Sequence, residues 1–221
     1  MCTITLSGWG QPHDALAHLA PGSMAVDYAH AANAAEAIRM IASAQPERVI
    51  GWSLGGQLAV RAVAEGAVRP AQLVLIATPY QFVDSSTVGR ETFEKFSANY
   101  RANPQRTLHK AWELIHYEDA KSVCIADQLA MFDKEAVLRK DWLRWLHLLE
   151  GFSCDALDFS AFPRTLLVHG TLDKVVGAAQ SIRMAQRLPH ARVEQWEHCG
   201  HAPHLHDAER LKGLIAEHAD V

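Results

Sequence analysis

The chain has 221 residues, of which 49% are hydrophobic and 21% charged, a composition typical of one globular domain with a large core. Its 21 Lys and Arg and 25 Asp and Glu residues give a formal net charge of −4, which argues against a generally basic nucleic-acid-binding protein. No apolar run reaches the roughly 18 residues of a membrane span, and the first residues lack a signal-peptide pattern. We therefore expect a cytoplasmic protein with neither nucleic acid nor membrane as a partner.

The first 80 residues alternate short apolar runs with helical patterns. Residues 3–6, 48–52 and 73–77 are predicted strands, and residues 33–44 and 55–65 are predicted helices. Strands that alternate with helices predict parallel strands joined by right-handed crossovers, which is an α/β fold.

Residues 81–160 differ from what precedes them, because they carry helical patterns rich in charge and aromatic side chains and no convincing strand. The clearest patterns lie at residues 107–117 and 135–149. We interpret this stretch as an inserted helical lid, with residues 158–163 as the linker that returns to the core. Its apolar and aromatic side chains predict a channel for an alkyl chain.

The α/β pattern resumes after the predicted lid. Residues 165–168 and 193–196 are predicted strands, and residues 178–188 and 208–218 are predicted helices. The sequence thus predicts one α/β core, made of residues 1–80 and 161–221, that the helical lid at 81–160 interrupts.

A candidate nucleophile stands in Gly51-Trp52-Ser53-Leu54-Gly55, a G-x-S-x-G pattern between a predicted strand and a predicted helix. Such a serine sits on a tight turn with strained backbone angles, and the flanking glycines let neighbouring backbone approach. The turn exposes the hydroxyl near a helix N-terminus, which stabilises developing negative charge. A simple N-cap role for Ser53 would not explain glycines on both sides.

A serine nucleophile needs a base, and the base needs an orienting acid. Asp173 follows an apolar strand and a Gly-containing turn, and His201 lies in a Gly-His-x-Pro loop after the last predicted strand. This chain order of Ser, Asp and His is that of α/β-hydrolases. The alternatives are His198, His204 and His206 as base, Asp158 as acid, and a metal-binding histidine cluster, against which the lack of an H-E-x-x-H motif argues. His169, at a strand end, is predicted to serve packing.

Ester chemistry also requires an oxyanion hole. The backbone N–H of Leu54, directly after the nucleophile, is one predicted donor. The second donor is expected from the loop after the first strand, and Ser7-Gly8-Trp9-Gly10 is the candidate loop. We assign the Trp9 N–H to this role because the flanking glycines allow the backbone to turn toward the site.

These motifs resemble those of α/β-hydrolases, and most closely the pimeloyl-acyl-carrier-protein methyl ester esterases of biotin synthesis (BioH-type). The resemblance rests on Gly8-Trp9-Gly10, on Gly51-Trp52-Ser53-Leu54-Gly55-Gly56 and on Gly200-His201-Ala202-Pro203. It implies a serine carboxylesterase without cofactor or metal, which hydrolyses the methyl ester of pimeloyl-acyl carrier protein and releases methanol. One departure is that the loop begins at residue 8, so the N-terminal hairpin of the family's sheet is missing and about six mostly parallel strands are expected.

The resemblance also implies a basic lid surface that receives the acidic acyl carrier protein. Residues 88–112 carry five basic side chains and two acidic ones. Arg106 and Lys110 share a helix face at a spacing of four, and Lys121 is a further candidate. A solvated helix face is the alternative explanation of such a run.

The sequence therefore predicts a monomeric serine esterase with Ser53, Asp173 and His201 as catalytic residues. Two other functions stay open. One is a small-ester or lactone hydrolase, or an acyltransferase, on the same triad, since a fold does not determine a substrate. The other is a binding module that kept the fold without the activity.

Overall fold

The computed structural model describes residues 1–84 and 88–219. Six strands form one sheet in the order β2-β1-β3-β4-β5-β6, and every neighbouring pair is parallel. The strands are β1 (Thr3–Leu6), β2 (Met24–Ala25), β3 (Arg48–Trp52), β4 (Gln72–Ile76), β5 (Arg164–Gly170) and β6 (Ala191–Trp196). The predicted α/β fold with about six strands is confirmed.

Ten α-helices lie in the described part of the chain. They are α1 (Ala34–Ser43), α2 (Leu54–Ala64), α3 (Arg90–Ala102), α4 (Pro104–Ile115), α5 (Ser122–Ala130), α6 (Lys134–Leu138), α7 (Trp142–Gly151), α8 (Ala179–Ala185), α9 (Pro203–His206) and α10 (Ala208–Ala219). Helices α3 to α7 follow one another between β4 and β5, and we call residues 90–151 the five-helix segment. None of the helices in the described ranges is long and apolar enough to cross a membrane.

Two elements differ from the sequence prediction. The pattern at residues 135–149 does not form one helix, because α6 ends at Leu138 and α7 begins at Trp142. The side chain of Asp141 accepts a hydrogen bond from the N–H of Arg144 and so starts a new helix inside a continuous apolar pattern. The strand β2 was not predicted, since two residues show no periodicity; it is defined by its pairing with β1.

The sheet brings the predicted catalytic loops to one edge. All six strands run in parallel, so the loops that follow β1, β3, β5 and β6 leave from the same edge of the sheet. The chain passes from β1 outward to β2 and then returns to the other side of β1 as β3. Open parallel sheets bind ligands at the carboxyl edge beside such a switch point. This places the crevice between the loops after β1 and β3, which contain Trp9 and Ser53 respectively.

Candidate active site

Ser53 is the only residue between the last residue of β3 and the first residue of α2. Its backbone angles are φ 53° and ψ −115°, a region that costs a residue with a Cβ on the order of 1–3 kcal/mol. The N–H of Ser53 donates to the carbonyl of Ile76 on β4 at 2.9 Å, which holds the turn against the sheet. The strained turn predicted from the sequence is present.

The glycines around Ser53 allow three pieces of backbone to pack together. A Cβ on Gly51 would lie 2.6 Å from the Cα of Gly56, and a Cβ on Gly55 would collide with the carbonyl oxygens of Leu6 and Ser7. The end of β1, the end of β3 and the start of α2 therefore meet at distances that only glycine permits. Larger side chains would move Ser53 away from the loop after β1.

Asp173, in the turn after β5, is buried and receives four hydrogen bonds. Its Oδ1 accepts from the backbone N–H groups of Val175 and Val176, each at 2.8 Å. Its Oδ2 accepts from His201 Nδ1 at 2.7 Å and from His169 Nε2 at 3.1 Å. Burial alone would raise the pKa of this carboxyl, but the two imidazoles and their hydrogen bonds outweigh it and hold the pKa well below its usual range. Asp173 is thus an ionised acceptor aimed at His201.

His201 lies in the loop after β6, and its ring orientation follows from Asp173. Because the ionised carboxylate only accepts, the Nδ1 of His201 carries the proton, which leaves Nε2 unprotonated in the neutral ring and able to act as a base. The backbone is held as well: the N–H donates to the carbonyl of Ile115 and the carbonyl accepts from the indole N–H of Trp52, both at 2.9 Å. The residue that precedes Ser53 therefore holds the candidate base directly.

His169 has a larger role than the packing predicted for it. Its Nε2 lies 2.8 Å from the carbonyl of Val176 and 3.1 Å from Asp173 Oδ2. Both of these atoms are acceptors, so the proton is on Nε2 and is shared between them. His169 thereby fixes the carboxylate that orients His201. The one sequence feature that points to this role is the position of His169 near the end of β5, four residues before Asp173.

The two predicted oxyanion donors belong to neighbouring parts of the chain, Trp9 to the loop after β1 and Leu54 to the start of α2. Leu54 is the first residue of α2, so its N–H has no partner within its own helix. The N–H of Trp9 makes none of the backbone hydrogen bonds found in the described loops. Two indoles clamp this loop to the five-helix segment: Trp9 Nε1 donates to the carbonyl of Trp142, and Trp112 Nε1 donates to the carbonyl of Gly10, both at 2.8 Å.

Ser53 and His201 line one cavity of about 170 Å³ between the core and the five-helix segment. Trp9 from the candidate oxyanion loop, Gln11 directly after that loop and Lys174 beside Asp173 also line it. Much of the remaining wall is apolar and comes from the five-helix segment: Phe93, Phe96, Leu114, Ile115, Leu146 and Leu149. A cavity with a few polar groups in an apolar wall is typical of a small-molecule site.

The alternative acids and bases lie elsewhere. Asp158 is exposed and accepts from the N–H of Ser160, away from His201. His204 is fully buried against the Trp52 ring, at 4.3 Å between ring centres, and burial lowers its pKa well below the usual value. The backbone carbonyl of His198 accepts from the N–H of Ala120. Of the four clustered histidines, His201 is the one whose ring contacts Asp173 in the described structure.

Asp119, in the turn between α4 and α5, is a site residue that sequence reasoning missed. Its buried carboxylate accepts from the N–H of Gly200 at 2.6 Å, the N–H of Lys121 at 2.7 Å and the Nδ1 of His206 at 2.8 Å. Asp119, His206 and Cys199 place one metal-ligating atom each within 4.8 Å of one another. Since three hydrogen bonds already occupy the carboxylate, we interpret this cluster as an anchor that ties the His201 loop to the five-helix segment. Gly200 is 81 residues away along the chain, so no sequence pattern marks the pair.

The three basic residues predicted to face a partner have different surroundings. Arg106 and Lys110 are exposed on α4, and neither side chain forms an ion pair within the described ranges. Lys121 is also exposed, but its side chain is bound to residues of the α/β core. Its Nζ donates to the carbonyl of His206 at 2.8 Å and lies 4.0 Å from a carboxylate oxygen of Asp207.

Comparisons with known proteins agree with this architecture. The model of the alpha/beta hydrolase family matches residues 2–212, and the chain belongs to this family. A bromoperoxidase structure from Bacillus anthracis has the same fold, with a TM-score of 0.80 at 13% identity over 100% of this chain and 92% of that one.

Two curated relatives have the same name as each other. The pimeloyl-[acyl-carrier protein] methyl ester esterase of Nitrosomonas europaea is 30% identical over 180 residues, which is 78% of this chain and 71% of the relative. The esterase of that name from Aromatoleum aromaticum is 28% identical over 180 residues, 76% of this chain and 72% of the relative. The family and these relatives identify the chain as a carboxylic ester hydrolase.

Proposed function

We propose that the protein is a serine esterase in which Ser53, His201 and Asp173 form the catalytic triad. The observation that carries this proposal is the hydrogen bond of 2.7 Å from His201 Nδ1 to the buried Asp173, beside a cavity that Ser53 and His201 share. His201 Nε2 takes the proton of the Ser53 hydroxyl as its oxygen attacks the ester carbonyl. Asp173 holds the ring in the correct tautomer and stabilises its charged form.

The oxyanion of the tetrahedral intermediate binds to the N–H groups of Leu54 and Trp9. His201 returns its proton to the alkoxide leaving group, and Ser53 is left acylated. Water then attacks the acyl group while His201 again accepts a proton, and the acid is released. Each oxyanion donor of this kind contributes about 100- to 1,000-fold in rate. No step requires a metal or a cofactor.

The substrate we propose is the methyl ester of a pimeloyl chain on acyl carrier protein, which would place the enzyme in biotin synthesis. The names of the two curated relatives support this substrate. So does the wall of the cavity, because apolar side chains of the five-helix segment suit an alkyl chain. Of the aromatic side chains in the predicted lid, Phe82, Phe93 and Phe96 line the cavity, whereas Trp112 and Trp142 are buried and hold the candidate oxyanion loop.

The carrier protein would dock on α4. Arg106, Lys110 and Leu114 repeat at a spacing of four, so they form one exposed stripe along that helix. Leu114 also lines the cavity, so the stripe leads from two cations without ion-pair partners in the described chain to the active site. An acidic carrier is attracted to such a stripe, and its acyl chain would enter beside Leu114.

Mass spectrometry of methyl-pimeloyl acyl carrier protein after incubation with the enzyme tests the substrate. We expect the carrier to lose the mass of one methylene with wild type and to keep it with Ser53→Ala. Cleavage of p-nitrophenyl esters without cleavage of the carrier ester would instead favour a small-ester or lactone hydrolase or an acyltransferase. Cleavage of neither would favour a binding module.

The docking surface has its own test. We expect Arg106→Glu with Lys110→Glu to raise KM for the carrier-bound ester about tenfold and to leave p-nitrophenyl acetate hydrolysis unchanged. Arg39→Glu on α1 is the matched control, because it reverses an exposed charge away from the cavity. An equal effect of both changes would overturn docking on α4.

A further inference from the structure

Gln11 is the most unusual polar residue of the cavity wall. It follows the oxyanion loop directly, lines the same cavity as Ser53 and His201, and is 1% exposed. Neither its Nε2 nor its Oε1 has a hydrogen-bond partner among the described residues. Buried polar groups are almost always paired, so an unpaired amide in the wall of a binding cavity is free to bind a ligand that completes its hydrogen bonds.

The side chain offers both a donor and an acceptor to that ligand. The amide group can donate two hydrogen bonds and the amide oxygen can accept two. A plain hydrocarbon chain would leave all of them unpaired, which costs free energy in a buried site. A hydroxyl group donates and accepts at once and would satisfy both atoms.

We propose that Gln11 is a substrate-binding residue that pairs with a second polar group of the substrate, such as a hydroxyl or the thioester carbonyl of a carrier-bound chain, and so favours esters that carry such a group over plain alkyl esters. This inference rests on the proposed esterase function, since it concerns the substrate of the same cavity. Gln11 directly follows the candidate oxyanion loop, so the selected group lies on the part of the substrate bound beside this loop. Sites that pair with a polar group of the substrate discriminate strongly against analogues that lack it.

Gln57 supplies an internal control for the effect of an unpaired buried amide. It is fully buried on α2, and both its amide atoms also lack a partner in the described structure. It does not line the active-site cavity. Changes at Gln11 and Gln57 therefore remove the same amide group. Only the change at Gln11 removes a hydrogen-bonding partner from the cavity that binds the substrate.

The experiment compares methyl hexanoate with the positional series of methyl hydroxyhexanoates on wild type, Gln11→Met and Gln57→Met. Methionine keeps the length of glutamine without its hydrogen bonds. We expect wild type to have about 10- to 100-fold higher kcat/KM for at least one hydroxy isomer than for methyl hexanoate. Gln11→Met should abolish this preference, because kcat/KM should fall more for that isomer than for methyl hexanoate. Gln57→Met should keep the preference.

Two results would overturn the role of Gln11. One is a wild type that hydrolyses all isomers no better than methyl hexanoate; the other is a Gln11→Met variant that loses activity equally on every ester. Failure of the esterase proposal itself is recognisable separately, because p-nitrophenyl acetate and all methyl esters would then be turned over equally by wild type and Ser53→Ala.

Discussion

The α/β core and the five-helix segment hold their parts of the site by different means. In the core, each residue of the proposed triad follows a strand directly or within a short loop, and strand register fixes its position: Ser53 after β3, Asp173 after β5 and His201 after β6. The five-helix segment adds no residue to the proposed triad. Buried aromatic side chains such as Trp142 pack it against the core, and individual polar contacts, such as Trp112 to Gly10 and Asp119 to Gly200, reach the loops of the site.

The core and the five-helix segment therefore have different tasks: the core carries the proposed reacting groups, and the segment positions the loops that hold them. In the proposed mechanism the core determines which reaction is possible, because the proposed nucleophile, base and acid are all attached to one sheet. The five-helix segment supplies the apolar wall and also reaches back to the oxyanion loop and the His201 loop. Changes in the core should therefore abolish activity, whereas changes in the polar contacts should reduce it in graded steps.

The largest effect is expected at Ser53. Ser53→Ala removes the proposed nucleophile and should lower kcat about 10⁵- to 10⁶-fold in a p-nitrophenyl ester assay. Ser53→Gly should be equally inactive but more stable than Ser53→Ala by about 1 kcal/mol in urea unfolding, because glycine adopts φ 53° without a Cβ. Equal stability of the two variants would show that the turn is not strained.

The next effect concerns Asp119, the anchor of the His201 loop. Asp119→Ala leaves the N–H groups of Gly200 and Lys121 unpaired, which costs about 1–3 kcal/mol each if they stay buried. We expect the released loop to misplace His201 and to lower kcat about 10- to 100-fold. Stability by urea unfolding and kcat on a small ester measure the two effects.

Asp133→Ala is the matched control for Asp119. Asp133 caps α6 through the N–H of Ala136 at 2.9 Å and belongs to the same five-helix segment. Its loss should cost about 1 kcal/mol of stability and leave kcat unchanged. If Asp119→Ala behaved the same way, the segment would not position the histidine loop.

The oxyanion loop allows a finer comparison between two buried indoles. Trp112→Phe keeps an aromatic ring but removes the N–H that donates to Gly10, and we expect kcat to fall about 3- to 10-fold because the Trp9 N–H shifts. Trp145→Phe removes a similar bond to Ala29, at 3.3 Å, which lies outside the catalytic loops. Both should lose about 1 kcal/mol of stability, and only the first should lose activity. Equal kcat values would contradict the coupling.

The same division governs what could be predicted from the sequence. The strands, the elbow at Ser53 and the order of Asp173 and His201 follow from local patterns, because parallel strands and strand-end loops have periodic or glycine-rich signals. Asp119 and the clamp by Trp112 could not be predicted, since their partners lie 81 and 102 residues away along the chain. The role of His169 depends on which ring atom meets Asp173, and no spacing determines that. The break between α6 and α7 could not be predicted, because the helical spacing of apolar residues continues across Asp141 and does not show that this residue starts a new helix.

The last expected effect changes no catalytic group and is a pH dependence of stability that arises at His204. Its pKa is lowered well below the usual value by burial and by the nearby His18 and His201, so it stays neutral in the folded protein. The unfolded chain binds a proton at this residue once the pH falls below about 6.5. Protonation then favours the unfolded state, and stability falls as the pH decreases, by at most about 1.4 kcal/mol per pH unit.

His204→Phe isolates this contribution, because phenylalanine keeps a ring against Trp52 but binds no proton. The free energy of unfolding should decrease less between pH 7 and pH 5 for the variant than for wild type, by up to about 2 kcal/mol. Asp173 does not interfere, since its carboxyl has a lowered pKa and its stabilising effect is lost only as the pH falls below about 4. The hydrogen bond between His206 and Asp119 is common to both proteins and cancels in the difference. Parallel pH profiles for the two proteins would mean that His204 is protonated in the folded protein without a loss of stability. The contact between the rings of Trp52 and His204 would then accommodate a buried charge.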